Sequence, residues 1–349
     1  MDQLLKPILD FAVKSEASDI HISAGKPIAF RIHGKLEAKK EAWILSEEKV
    51  EKILEVFLHH NTNRIQDFYN SKELDFAFLH TDGTSFRVNA FYRLWKISFV
   101  LRRISNTVMT IDELWLPQAV KKFTKAKQWL VLVTWPTGSG KSTSMISLLD
   151  EINKTRAEHV LTIEDPVEYI FQDNKSIFSQ REIWNDTTSF ANALKWAMRE
   201  DPDVIMIGEM RDAETVQAAL ELAETWHLVI STLHTSSAVQ TISRLVSFFP
   251  TETQNAVRGK LADTLVGVLS QRLVPKVWWG RIWLFELMFM STGIKNLVRE
   301  GNMNQMFNSI ETGAKEWMIS MQKYANALKD KWLVLEESYK DYFEDQNNF

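Results

Sequence analysis

Eight consecutive residues, Pro136-Thr137-Gly138-Ser139-Gly140-Lys141-Ser142-Thr143, place two glycines, a lysine and four hydroxyls one residue after the apolar run Leu130 to Thr134. Glycines let backbone N–H groups come close to a ligand, an ammonium neutralises anionic charge, and a hydroxyl can ligate a hard cation. The chemistry on offer is phosphate binding with Mg²⁺. The segment fills the last seven positions of G-x-x-x-x-G-K-[ST], in which Lys141 reaches the β and γ phosphates and Ser142 ligates Mg²⁺. The motif's first glycine is replaced by Trp135. A plain Gly-rich turn is the competing reading, and the strand before and helix after favour the motif.

Carboxylates and imidazoles follow at spacings that suit the same chemistry. Val204-Ile205-Met206-Ile207-Gly208-Glu209 is an apolar strand ending in an acid, which can hold Mg²⁺ through water or orient an attacking water. Thr162-Ile163-Glu164-Asp165-Pro166-Val167-Glu168 closes another apolar strand with three acids, and His227 and His234 flank the strand Leu228 to Leu233. Each is ordinary alone, since core strands often end in Glu and a histidine beside a strand is usually a hydrogen-bonded structural residue. No His or carboxylate pair has zinc-protease spacing, so Mg²⁺ is the one metal expected.

The elements that must position these groups divide in two. Residues 3 to 17 show a helical apolar face, Ile20 to Ile22 and Ile28 to Ile32 form a hairpin around Ala24-Gly25-Lys26-Pro27, and a helix capped by Ser46 runs to Leu58. Strands at Leu74 to Leu79, Phe86 to Phe91 and Ile97 to Arg102 complete a small α/β domain, and the polar residues 105–112 connect it onward. From Trp129 a strand–loop–helix unit, strands at Val160 to Ile163, Val204 to Gly208 and Leu228 to Leu233, and helices near 187 to 199 and 212 to 224 predict a RecA-like doubly wound sheet. From about residue 285 the chain reads as helical, and its last residues, EDQNNF, as a frayed end.

Composition narrows the function classes. The 349 residues carry a net charge of −4, without the basic excess of a nucleic-acid or anionic-membrane binder, and no nucleic acid is expected as partner. There is no cysteine, which excludes disulfides and Cys-ligated zinc or iron–sulfur centres. The first residues lack a signal peptide's basic start and apolar core, and no apolar run reaches a membrane span, so a cytoplasmic protein is expected. Charge runs such as Glu47-Glu48-Lys49 and Glu336-Glu337 read as solvated helix faces.

TIEDPVEY, REDPDVIMIGEMRDAET and HLVISTLHTSSAVQTISRL resemble the Asp box, Walker B and His box of the secretion ATPase superfamily. ASDIHISAGKPIAFRIHGKL and FRVNAFY extend the similarity to the type IV pilus retraction ATPase family over nearly all of residues 1 to 335. The resemblance implies an α/β chain with a PAS-like N-terminal domain over 1–105, a linker over 106–112 and a RecA-like P-loop ATPase domain over 113–349. It implies a homo-hexamer that hydrolyses ATP between subunits to retract pili in twitching motility. Residues 136–143 would bind the nucleotide, Ser142 and Glu209 would serve Mg²⁺, and Glu168 would be the general base. His227 and His234 would sense the γ phosphate, and Arg87 and Arg102 would enter the neighbouring site. The motor would sit at the inner face of the cytoplasmic membrane, held peripherally by an inner-membrane platform protein. The missing four-cysteine zinc module, and the likeness of Gly293 to Glu300 to the retraction signature AIRNLIRE, favour retraction over an extension or type II secretion ATPase. A catalytically inactive ring subunit is the reading if Trp135 is genuine.

One number is out of line: average usage of about 7% would give roughly 24 glycines, whereas the chain has 12 Gly and 13 Trp. Trp226 and Trp332 fall at helix stops that favour φ > 0, Trp278-Trp279 at a hairpin turn, and Trp135 at the sharp entry to the phosphate loop. The family resemblance places Gly also at Trp95, Trp115, Trp129, Trp184 and Trp317, and assigns nothing to Trp43, Trp196 or Trp283. The expectation is that a codon read as glycine in the native cell, UGA, stands translated as tryptophan.

Overall fold

A computed structural model describes residues 4–38, 43–104, 108–134, 141–277 and 281–339. The chain is mixed α/β and forms two compact units, Met1–Thr107 with Asp165–Ile170, and Val108–Glu164 with Phe171–Phe349.

In the first unit, α1 (Lys6–Lys14) leads into β1 (Ala17–Ser23), β2 (Ala29–Ile32) and β3 (Lys35–Ala38). Helices α2 (Glu47–Phe57) and α3 (Thr62–Ser71) precede β4 (Glu73–Leu79), β5 (Ser85–Arg93) and β6 (Lys96–Arg103). The six strands form one antiparallel sheet in the order β3-β2-β1-β6-β5-β4. Alternation along the strands turns Phe30, Phe76, Phe86 and Phe99 into a core completed by Phe57 of α2 and Phe68 of α3. The first helix is shorter than its apolar face suggests, because Ala17 already belongs to β1. Ser46 does hold the N-cap position of α2, yet its side chain makes no capping bond. Helix α3 turns Ile65, Phe68 and Tyr69 to the core, a short apolar stripe in an otherwise polar string, and β3 is exposed at every position; neither element is expected from the sequence.

The second unit opens with α4 (Lys121–Lys125), β7 (Trp129–Thr134) and α5 (Lys141–Thr155). There follow β8 (His159–Glu164), β9 (Ile177–Glu182), α6 (Phe190–Ala197), β10 (Val204–Ile207), α7 (Ala213–Glu224) and β11 (Leu228–Leu233). Beyond them lie α8 (Ala238–Ser247), α9 (Thr251–Thr264), β12 (Leu265–Pro275), β13 (Arg281–Phe289), α10 (Thr292–Glu300), α11 (Met303–Thr312) and α12 (Met321–Asp330). The seven strands run in the order β13-β12-β7-β11-β10-β8-β9, all parallel to their neighbours except β13. Strands β10 and β11 are buried at every position, as a sheet covered on both faces requires. The helical end begins at Thr292 rather than near 285, since β13 continues to Phe289; its apolar run suits a buried strand or helix equally by period. The hairpin turn expected at Trp278-Trp279 and the chain end after Tyr339 lie outside the described residues.

Candidate nucleotide site

In an open parallel sheet, ligands bind outside the carboxyl ends of the strands. Here β7 stops at Thr134 and α5 starts at Lys141, the strand–loop–helix frame that the phosphate motif demands. Pro136, Thr137, Gly138, Ser139 and Gly140 lie outside the described residues, and for Lys141 and Ser142 only the helical backbone is described. Thr143 follows them in the first turn of α5. That turn is tied to β12 by Ser144, whose hydroxyl donates to Gln271 Oε1 at 2.8 Å.

The neighbouring strand ends bring two predicted residues together. Glu209 follows β10 and His234 follows β11, and His234 Nε2 stands 3.3 Å from Glu209 Oε2. Glu209 also pairs with Arg211. Its Oε2 is buried and accepts no hydrogen bond among the described residues, an oxygen with capacity for a water of a Mg²⁺ shell. Glu164, at the end of β8, is buried and accepts from Thr162 at 2.7 Å. Below this edge the hydroxyls of Thr134 and Ser270 meet at 2.9 Å, and those of Thr235 and Thr241 at 2.7 Å.

His227 is not part of this edge. It precedes β11, so the strand's length, roughly 20 Å, separates it from His234. Its Nδ1 contacts Leu222 O at 3.0 Å and Thr225 Oγ1 at 3.2 Å, the bonds of a structural histidine.

The other predicted residues belong to the first unit. Arg31, Asp19, Arg102 and Arg87 stand opposite one another across β2, β1, β6 and β5, one row set by register. Arg102 Nε donates to Asp19 Oδ1 at 2.9 Å, and Arg31 Nε lies 3.6 Å from Oδ2. Burial alone would raise the Asp19 pKa, but bonds from Arg102 and Ser18 prevail and hold it below the ordinary carboxylate value. Arg87 Nη1 lies 3.5 Å from Oε1 of Glu168 in the same unit. Arg87 and Arg102 are directly opposed like charges, and each has its own carboxylate, Glu168 and Asp19, to offset the repulsion.

Sequence reasoning missed Glu286. It sits at 3% exposure in β13, accepts the Ala238 N–H at 2.7 Å and the Met321 N–H, and so joins the first residues of α8 and α12. Burial pushes its carboxyl up to about 7 against the opposing pull of those two bonds. Because α8 begins at Ala238, four residues after His234, this buried acid fixes one end of the loop that carries His234. The available signal was a lone acid within the apolar string RIWLFELMF.

Fold and site together define a P-loop ATPase of the secretion type. The model of the family described as Type II/IV secretion system protein matches residues 1–279, and the chain belongs to that family. Within it, the chain is 40% identical over 342 residues to the type IV pilus retraction ATPase PilT of Pseudomonas aeruginosa, covering 98% of each. It is 37% identical to a twitching motility protein of Neisseria gonorrhoeae, over 93% of this chain and 86% of that one. The solved pilus retraction motor PilT with bound ADP superimposes with a TM-score of 0.87 at 40% identity, over 97% of this chain and 96% of that one.

Proposed function

We propose that the protein is an ATP-hydrolysing motor that drives retraction of type IV pili. The observation that carries this is the strand-end edge, where the β7–α5 frame bearing G-S-G-K-S stands beside strands that end in Glu209 and His234. Similarity over nearly the whole length to a retraction ATPase and a twitching motility protein supports the same reading.

In this reading, residues 136–143 cradle ATP, Lys141 neutralises its β and γ phosphates, and Ser142 with Glu209 serves Mg²⁺. Mg²⁺ held there would supply neutralisation of the charge that develops on the phosphoryl group. Glu168 takes the proton of the attacking water, and His234 positions the γ phosphate. Arg87 and Arg102 supply guanidinium charge to the neighbouring subunit's site of a homo-hexamer, where charge develops on the transferred phosphoryl group. A domain over 1–105 and a linker over 106–112 would convert closure of the ATPase domain, 113–349, into motion. Among the described residues no helix is long and apolar enough to cross a membrane, so association with the inner face would run through a platform protein.

Deletion of the gene tests the direction of work. Displayed pili with twitching lost are expected, whereas absence of pili favours an extension or secretion ATPase. In vitro, Mg²⁺-dependent ATP turnover that vanishes in Lys141→Ala is expected. A folded hexamer inert even as Trp135→Gly would establish the inactive ring subunit instead.

A further inference from the structure

Seven of the ten described tryptophans have φ between 56° and 85°: Trp95, Trp115, Trp129, Trp184, Trp226, Trp317 and Trp332. All other non-glycine residue types together supply seven more. In this region the Cβ of an L residue crowds the backbone, and a bulky side chain there is a genuine outlier. The rings gain little in return, being exposed from 40% at Trp129 to 93% at Trp95.

The chain contains its own glycine controls. Helix α10 ends with Gly301 at φ 72°, its N–H donating to Val298 O while Asn302 N–H reaches Leu297 O. This is the paired closure of a Schellman motif, whose left-handed residue is usually glycine. Tryptophan holds the place of Gly301 in three further copies. Trp115 N–H donates to Asp112 O and Leu116 N–H to Ile111 O; Trp317 N–H to Ala314 O and Met318 N–H to Gly313 O; Trp332 N–H to Lys329 O and Leu333 N–H to Leu328 O. The hairpins repeat the lesson. The β2–β3 turn is His33-Gly34 with φ 47° and 82°, and the β5–β6 turn is Leu94-Trp95 with φ 46° and 68°. Two-residue turns with φ > 0 at both positions favour glycine at the second.

We propose that these seven residues are glycine in the protein as its own cell makes it, the codon UGA being decoded there as glycine. The same substitution at Trp135 completes the phosphate motif as G-P-T-G-S-G-K-S. The backbone argument is independent of the assigned activity. It does not extend to Trp43, whose backbone is ordinary and whose ring packs edge-on 5.4 Å from Phe11 and 5.7 Å from Phe30. One cavity changes meaning as a result. A hollow of about 450 Å³ is walled by Trp129 and Trp317, with Lys295 5.7 Å and Lys122 4.4 Å from their rings. Glycine removes both indoles and leaves Phe289 as the one aromatic ring among the described lining residues.

The test is peptide mass spectrometry of the protein purified from its native cell, together with the codons of its gene. Glycine in the peptides spanning the seven positions and 135, with UGA at each, is the expected result. Tryptophan in those peptides, or UGG codons at the seven positions, overturns the proposal. Neither readout depends on ATP turnover, so a failed motor assignment leaves it standing.

Discussion

The two sheets present their charged groups by different means. In the antiparallel sheet the row Arg31, Asp19, Arg102 and Arg87 is fixed by register, and a slip of one residue would turn all four to the other face. In the parallel sheet Glu209 and His234 are fixed by where β10 and β11 stop. The row holds three guanidiniums against one carboxylate, whereas the edge offers an acid whose buried Oε2, 3.3 Å from His234, accepts no hydrogen bond among the described residues. Arg87 and Arg102 face the carboxylates of Glu168 and Asp19, while Glu209 faces Arg211 and His234. In the function proposed above each supplies one kind of group to phosphoryl transfer, and variants in each should then fail in different ways.

The largest effect is expected at the row. If Arg87 serves as proposed, Arg87→Ala removes a guanidinium from the transition state, and kcat should fall by about 10³-fold or more, the scale of an arginine finger. The measurement that separates the halves is a mixed ring. Arg87→Ala subunits combined with Glu209→Gln subunits should regain part of the ATPase activity if the arginine serves its neighbour. No recovery at any mixing ratio would place both defects in one subunit's own site. Glu168→Gln should lower kcat by about 10²- to 10⁴-fold, the range of a general base, with nucleotide binding retained.

A smaller effect concerns two carboxylates of opposite character. Asp19 is held below its ordinary value by its arginines, while Glu286 rises to about 7 by burial. Between about 4.5 and 7, folded Glu286 keeps a proton that the unfolded chain has released, so stability falls as pH rises through that window. The shift corresponds to about 3 kcal/mol, reached by pH 7 and constant above it. Glu286→Gln keeps an acceptor oxygen without the titration. Its melting temperature should therefore fall less than that of the parent between pH 5 and pH 7.

Much of this site was legible in the residues. The β7–α5 frame, the Glu209 strand end and the Asp box lie within local strings whose period and composition agree. The row was half legible: Arg87 and Arg102 came only from family resemblance, because cross-strand register is a long-range property that no local pattern encodes. His227 is a second case. Neighbours of one strand in sequence, it and His234 stand at its two ends, and which end faces the ligand depends on the direction of the whole sheet. Glu286 escaped because its partners, the amides of Ala238 and Met321, are far away in the chain.

The smallest effect is expected from single exchanges at matched helix ends, and it compares two regions with the same hydrogen bonds. Gly301 and Trp332 close α10 and α12 by the same pair of bonds, at φ 72° and 56°. Gly301→Ala should destabilise by about 1 kcal/mol, since it adds a Cβ to a left-handed residue. Trp332→Gly relieves the same strain from a residue whose ring is 76% exposed and packs little, and should stabilise by about 1–3 kcal/mol. Opposite signs in urea unfolding would show that the backbone at both ends asks for glycine. A loss on Trp332→Gly would mean that the indole contributes more to the fold than its backbone strain removes.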